Sequence, residues 1–358
     1  MIPTQRHLVA IVALASGATM HVHGQGARGQ SAPVASVRYG ITDLGAALRS
    51  MDDMTPFVDS TGTVVTWRLG SDNRVRTQVQ EGKHVVGPTT PLPGFPDTYV
   101  ADINAAGVMV GMCKKPTGTR YARAFVFRKQ KLCDLGTLGG DYSRAYSVRS
   151  QVAGAADTAD QHIHAFVCDT RPGAALLDLG TLPGGDYSSA RGINRRGQVV
   201  GVANVVPNGV NHAFLWEHGH MRDLGLLTSG SYAHAQAIND SGQVVGWANS
   251  RGETHAVLWQ RGEAHDIAVE GSDTSSAWGI NNRGQIVGTS ESGRPHKTMH
   301  AYLWEHGKPM DLNDLIPAQP DRQLNFAYRV NDRGQIVCVG TLRGAIRAYL
   351  LTPLEGPR

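Results

Sequence analysis

One turn is written into this chain many times over. It reads "GINRRGQVVG" from Gly192, "AINDSGQVVG" from Ala237, "GINNRGQIVG" from Gly279 and "RVNDRGQIVC" from Arg329. Weaker copies, "VDSTGTVVTW" and "INAAGVMVGM", place the same glycine at Gly62 and Gly107. Gly62 and Gly107 stand 45 residues apart, as do Gly197 and Gly242, and the next steps are 42 to Gly284 and 50 to Gly334. The gap of 90 between Gly107 and Gly197 holds a further copy, "SVRSQVAGAA" from Ser147, which has lost two turn residues. Seven copies result. Each is far longer than a coil of a simple β-helix and matches the four-stranded blade of a propeller.

The copy from Ser188 shows the strands. "SSARGIN" is a first strand, "NRRG" the turn, "QVVGVAN" a second strand, "HAFLWEHG" a third with its turn, and "HMRDLG" a fourth. Asn at the first turn position bonds the backbone ahead of it, and Gly at the fourth supplies the positive φ that rejoins the ladder. Apolar residues are often adjacent, as in Val199–Val200 and Phe214–Leu215–Trp216, rather than strictly alternating. Strands covered on both faces read this way, and a propeller blade has a neighbour on each side. No sustained 3.6-residue periodicity follows the leader, so almost no helix is expected. Glycine agrees with a turn-rich chain: 43 of 358 residues, roughly 12% against a usual ~7%.

These segments carry a resemblance. "HAFLWEHG", "HAVLWQRG", "HAYLWEHG" and "HAFVCDT", with "DLGTLGG" and the "IN" turns, resemble the bacterial extracellular HAF-repeat family over roughly Ser36 to Pro353. The resemblance implies secretion and brings no established catalytic residue to carry over. The first copy (Met51 to Gly87) departs most from the pattern, and the third lacks its full turn.

The chain ends are out of phase with the repeat. "VRYGITDLGAA" (Val37 to Ala47) matches a fourth strand, and "RAYLLTP" (Arg347 to Pro353) matches a third. Pairing them completes the last blade and removes an open edge. The expected fold is therefore an all-β, seven-bladed propeller of four-stranded antiparallel blades over residues 36–353, closed by the N-terminal strand. Residues 354–358 are a tail. If the first strand of each blade runs from top to bottom, the "INxxG" turns and the turns after the third strands lie at the bottom. The loops at the top vary in length and sequence, and variable loops on a rigid scaffold are the usual form of a binding surface.

Two residues before the recurrent Ile or Val of "IN" stand Tyr146, Arg191, Gln236, Trp278 and Tyr328, with Ala101 and Pro56 in the remaining copies. Small residues usually precede them. Such a set can rim the central channel and offer rings and hydrogen bonds to a ligand, or act as wedges between blades. No catalytic set stands beside it. The serines of "GGDYS" (Ser143, Ser188) recur with the repeat, which reads as turn chemistry rather than a unique nucleophile. His164, His212, His255 and His300 open their third strands, but Arg123 and Arg347 replace them elsewhere. One per blade also sets them too far apart for a zinc cluster. No metal or other cofactor is indicated.

Formal net charge is +4 and no run of five Lys or Arg occurs, so no nucleic-acid footprint is present. "MIPTQRHLVAIVALASGATMHVHGQ" has a short polar start and an apolar stretch from Leu8 to Met20, too short to span a bilayer. It reads as a secretory signal peptide over residues 1–26, followed by a flexible segment over 27–35. Four cysteines in an exported chain raise the question of disulfides. Cys113 and Cys133 lie two strand spacings apart, about 9.5 Å, beyond bridging reach. The expected function is a secreted or periplasmic binding scaffold for an extracellular protein, glycan or small molecule. A propeller hydrolase or lyase and a structural envelope component are the alternatives.

Overall fold

The computed structural model describes residues 38–47, 56–69, 75–81, 84–86, 91–115, 121–293 and 297–354. The expected signal peptide and the segment over 27–35 lie outside them, as does the tail from 355.

Twenty-eight strands are described, and they form seven four-stranded antiparallel sheets. Strand β1 (Tyr39–Ala46) comes first in the chain and last in the ring. Blade 1 is β2 (Phe57–Val58), β3 (Val64–Leu69), β4 (Val75–Glu81) and β5 (His84–Val86). Blade 2 is β6 (Asp97–Ile103), β7 (Met109–Lys114), β8 (Ala122–Arg128) and β9 (Lys131–Gly136). Blade 3 runs through β10 (Gly139–Val148), β11 (Gln151–Thr158), β12 (Ile163–Asp169) and β13 (Leu177–Asp178). Blade 4 is β14 (Ser188–Ile193), β15 (Val199–Asn204), β16 (Asn211–Glu217) and β17 (His220–Asp223). Blade 5 is β18 (Ala233–Ile238), β19 (Val244–Ser250), β20 (Glu253–Gln260) and β21 (Glu263–Asp266). Blade 6 is β22 (Thr274–Ile280), β23 (Ile286–Ser292), β24 (Thr298–Glu305) and β25 (Lys308–Asp311), followed by a 3-10 turn at Leu312–Leu315. Blade 7 takes β26 (Arg322–Val330), β27 (Ile336–Leu342) and β28 (Ala345–Pro353) from the C-terminus and β1 as its outer strand.

The closing pair is antiparallel, from Tyr39 opposite Pro353 to Ala46 opposite Arg347. Arg38 extends it: its amide donates to Leu315 O at 2.9 Å and its guanidinium to Glu305 Oε2 at 2.9 Å. Closure thus ties the N-terminal strand to blades 6 and 7 together.

The core is a series of layers between blades. One layer joins Ala153 and Val167 of blade 3 to Ile193, Val199 and Phe214 of blade 4; another joins Val245 and Leu258 of blade 5 to Ile286 and Tyr302 of blade 6. Each middle strand is covered on both faces, which accounts for the adjacent apolar residues. The turn glycines behave as their positions demand: Gly197, Gly242, Gly284 and Gly334 have φ of 76°, 85°, 77° and 77°. The strand glycine of "QVVG" has a different cause. A Cβ on Gly201 would sit 2.0 Å from Ser189 O, because the first strand bends inward there.

Candidate functional site

That inward bend is a β-bulge. The pairing of first and second strands slips between Ala145 and Ser147, Ala190 and Gly192, Ala235 and Ala237, Ala277 and Gly279, and Ala327 and Arg329. The skipped residues are Tyr146, Arg191, Gln236, Trp278 and Tyr328. All five candidate residues are therefore the extra residue of a bulge on the innermost strand. A bulge frees a side chain from the alternation of the sheet and re-aims it.

The structure brings four of the five into contact across blade boundaries. Arg191 of blade 4 lies over the Tyr146 ring of blade 3, 4.4 Å from its centroid, and Arg144 approaches the same ring at 4.4 Å. Trp278 of blade 6 touches Trp247 of blade 5 at 4.9 Å and Tyr328 of blade 7 at 5.8 Å between centroids. His234 stacks on Trp247, and Phe326 on Tyr328. Burial pushes the Tyr142 and Tyr328 hydroxyls well above the ordinary tyrosine range; at Tyr142 the neighbouring Tyr146 adds to this, while Arg144 and Arg191 oppose it. The Trp278 indole N–H is buried with no hydrogen-bond partner. Sequence spacing identified the five positions. It missed His234, Trp247 and Phe326, which extend the aromatic run.

Below the bulges, at the turn end of the channel, lies a cavity of about 490 Å³. Turns from all seven blades border it, among them Asp59, Asn104, Ser150, Arg195, Asn239, Asn281 and Asn331. None of the five bulge residues is in its lining. An amide belt forms the rim. Asn104 Nδ2 donates to Arg149 O at 2.7 Å, Asn194 to Asn239 O at 3.0 Å and Asn239 to Asn281 O at 3.1 Å. Asn281 donates to Asn331 O at 2.9 Å and Asn331 to Asp59 O at 2.8 Å. Each Asn Oδ1 meanwhile accepts from two amides of its own turn, as Asn194 does from Arg196 and Gln198, both at 3.0 Å. The recurrent Asn is thus both the turn former and the joint to the next blade.

The belt is interrupted where the sequence departs. Asp59 replaces Asn in blade 1 and has no N–H to give. Its carboxylate instead accepts from Thr61 and Thr63, and a second cavity of about 360 Å³ lies between it and Asn104. In blade 3 the position is Arg149, whose Nη1 donates to Asp102 Oδ2 at 3.0 Å and to Val148 O at 2.6 Å. Asp102 also accepts from Ser147 Oγ, Val148 N and Ile103 N.

The remaining repeated polar residues are engaged in the blades. His164, His212, His255 and His300 pair through Nδ1 with Asp178, Asp223, Asp266 and Asp311 of the fourth strands, at 2.9, 2.6, 2.6 and 2.5 Å. Each Asp also accepts through Oδ1 the amide two residues on, as Asp223 does from Gly225. Ser143 and Ser188 accept the amides of Ala124 and Ala165 in the preceding blade and donate to Gly136 O and Gly180 O. The four cysteines are free thiols. Burial pushes Cys168 up to about 12 and raises Cys113 and Cys338, so these three stay protonated and unreactive. Among the described residues no group of three His, Cys, Asp or Glu gathers to hold a metal, and no helix is long and apolar enough to cross a membrane.

No protein-family model matches the chain, and no curated protein matches it. Solved structures do. The β-propeller domain of the Trilobed protease from Pyrococcus furiosus, described as having an open velcro topology, is similar at 12% identity with a TM-score of 0.52, covering 89% of this chain and 97% of that one. A puromycin hydrolase is similar at 14% identity and a TM-score of 0.58, covering 91% of this chain and 55% of that one. A prolyl endopeptidase is similar at 10% and 0.56, covering 89% and 51%. The chain spans about half the length of these last two. At such identities the likeness is one of fold.

Proposed function

We propose that this propeller is an exported member of the HAF-repeat family, with residues 1–26 as its signal peptide. It works as a binding module for an extracellular protein, glycan or small molecule, held by the loop-rich face and the adjoining channel. One observation carries the reading. Residues common to the copies are used up in holding blades together, whereas the residues that differ most, Tyr146, Arg191, Gln236, Trp278 and Tyr328, are bulged on the inner strands. A rigid frame presenting varied rings and a guanidinium is the chemistry of recognition.

The histidine–carboxylate pairs do not favour catalysis. They recur from blade to blade between third and fourth strands, away from the channel, and their aspartates are committed to turns. The neighbouring peptidases contribute only a fold, and fold does not carry function.

The test is a glycan and small-molecule binding screen on residues 27–358, repeated with Tyr146→Ala and Gln236→Ala. At least one ligand class is held by the parent and lost in the variants while cooperative melting persists. Protection of the "INxxG" turns alone by the bound partner, in hydrogen exchange, contradicts the choice of face. Export is checked separately by the extracytoplasmic location of the chain and an N-terminus trimmed near residue 26.

A further inference from the structure

The cavity at the turn end holds a feature that the belt and the bulges do not use. The residues that follow the bulges are Asp102, Ser147, Gly192, Ala237, Gly279 and Arg329, and of these Asp102, Gly279 and Arg329 border the cavity. Two of these are charged, and their situations differ. Asp102 accepts four hydrogen bonds from blades 2 and 3. Arg329 makes none.

Three arginines border the cavity. Arg149 is held by Asp102 and Val148 O. Arg195 is largely exposed and lies 3.7 Å from Asp240. Arg329, on β26, has neither a hydrogen bond nor an ion pair among the described residues. Burial lowers its proton affinity, Asp102 raises it and Arg149 lowers it, with burial the largest effect. A guanidinium nonetheless keeps its charge in proteins. Arg329 is half-buried and borders this cavity, so its guanidinium N–H donors can meet an acceptor that enters it.

We propose that Arg329 is the anchor of a small-ligand site in this cavity, and that its ligand is a monocarboxylate with a short apolar body. The volume of about 490 Å³ lies in the range of small-molecule sites. Arg matches a carboxylate through two parallel hydrogen bonds. The cavity is bordered by Phe57, Val58, Ile103, Ile238, Ile280 and Val330, which suit the apolar part. The rim also carries Asp59, Asp102, Asp240 and Asp332, one carboxylate more than the three arginines. A ligand with two or more negative charges meets repulsion there; a single charge on Arg329 does not. The site lies at the opposite end of the channel from the loop-rich face and does not depend on what that face binds.

The experiment is a titration of the full chain and of Arg329→Gln with butyrate, benzoate and inorganic phosphate, each to about 20 mM, following melting temperature and heat of binding. Butyrate or benzoate raises the melting temperature of the parent saturably. Arg329→Gln weakens that binding about tenfold or more, while Arg329→Lys keeps part of it. Lys115→Ala, outside the cavity, leaves it unchanged. Without ligand, Arg329→Gln melts no lower than the parent, because no hydrogen bond or close ion pair is lost and Asp102 keeps its bonds to Arg149, Ser147 and two amides. The proposal is overturned if neither carboxylate binds, if both bind the Gln variant as well as the parent, or if phosphate is preferred. A clear fall in the ligand-free melting temperature of Arg329→Gln also overturns it, since that marks a residue holding the ring together.

Discussion

Blade 4 and blade 7 are the same blade made in two ways. In blade 4 all four strands follow one another, and His212 meets Asp223 eleven residues on. In blade 7 the outer strand comes from the other end of the chain, and Arg347 meets Asp43 across 304 residues, at 2.6 Å. The aspartate does the same work in both: Asp223 caps Gly225, and Asp43 caps Gly45. The turn end repeats the contrast. Asn194 donates to a carbonyl 45 residues away, and Asn331 to one 272 residues away. The repeat therefore encodes its joints without regard to sequence distance. What blade 7 adds is a set of contacts, those of β1, that no short loop enforces.

Removing β1 has the largest expected effect on blade 7. A chain lacking residues 1–47 loses the buried Tyr39, the Arg347–Asp43 and Arg38–Glu305 pairs and a whole strand from blade 7. It is expected to aggregate, or to melt more than about 10 °C below the parent, whereas removal of residues 1–30 changes little. Thermal melting with light scattering checks both.

In the amide belt, blades 4 and 7 each make the joint through one asparagine. Asn194→Ala and Asn331→Ala each leave a carbonyl in the next blade and two turn amides unpaired, so each costs about 3 kcal/mol in denaturant unfolding. Equal losses mean that turn chemistry is the same in both blades. A much larger loss for Asn331→Ala would move closure from β1 to the turn face. Asp59→Asn runs the other way. It supplies the missing donor toward Asn104 at the interrupted joint and stabilises by about 1 kcal/mol.

The smallest effect is one of pH. Burial alone pushes Glu305 up, but the hydrogen bonds from Arg38 and Gln285 outweigh it and leave its carboxyl below the usual carboxylate range. A lowered acid stabilises the fold above its unfolded pKa, about 4.3, and that contribution is lost as pH falls through the lower folded value. Because Arg38 is 41% exposed, the loss is only a few tenths of a kcal/mol. Glu305→Gln removes that dependence between about pH 5 and 3. Melting curves of the two proteins across this window make the check.

Most of the frame was legible because each blade rewrites it. The strands of the Ser188 copy fall where "SSARGIN", "QVVGVAN" and "HAFLWEHG" place them, and "VRYGITDLG" announced the closing strand. The first copy was harder to read, and its inner strand is only Phe57–Val58. The partners were less visible than the elements. His212, His255 and His300 stand eleven residues before an aspartate, a spacing that names their partner once the antiparallel register is known. The bulges, the amide belt and the placement of Arg329 at the cavity were hidden because they depend on which residues of different blades face each other. Spacing along one strand does not contain that.

β1 closes the ring, and native-state hydrogen exchange measures closure directly. The β1 amides that face β28 are expected to exchange as slowly as those of the other outer strands, such as β17, which face their own third strands. Exchange of β1 at the rate of unpaired chain, with β26 to β28 still protected, would contradict closure and leave blade 7 with three strands.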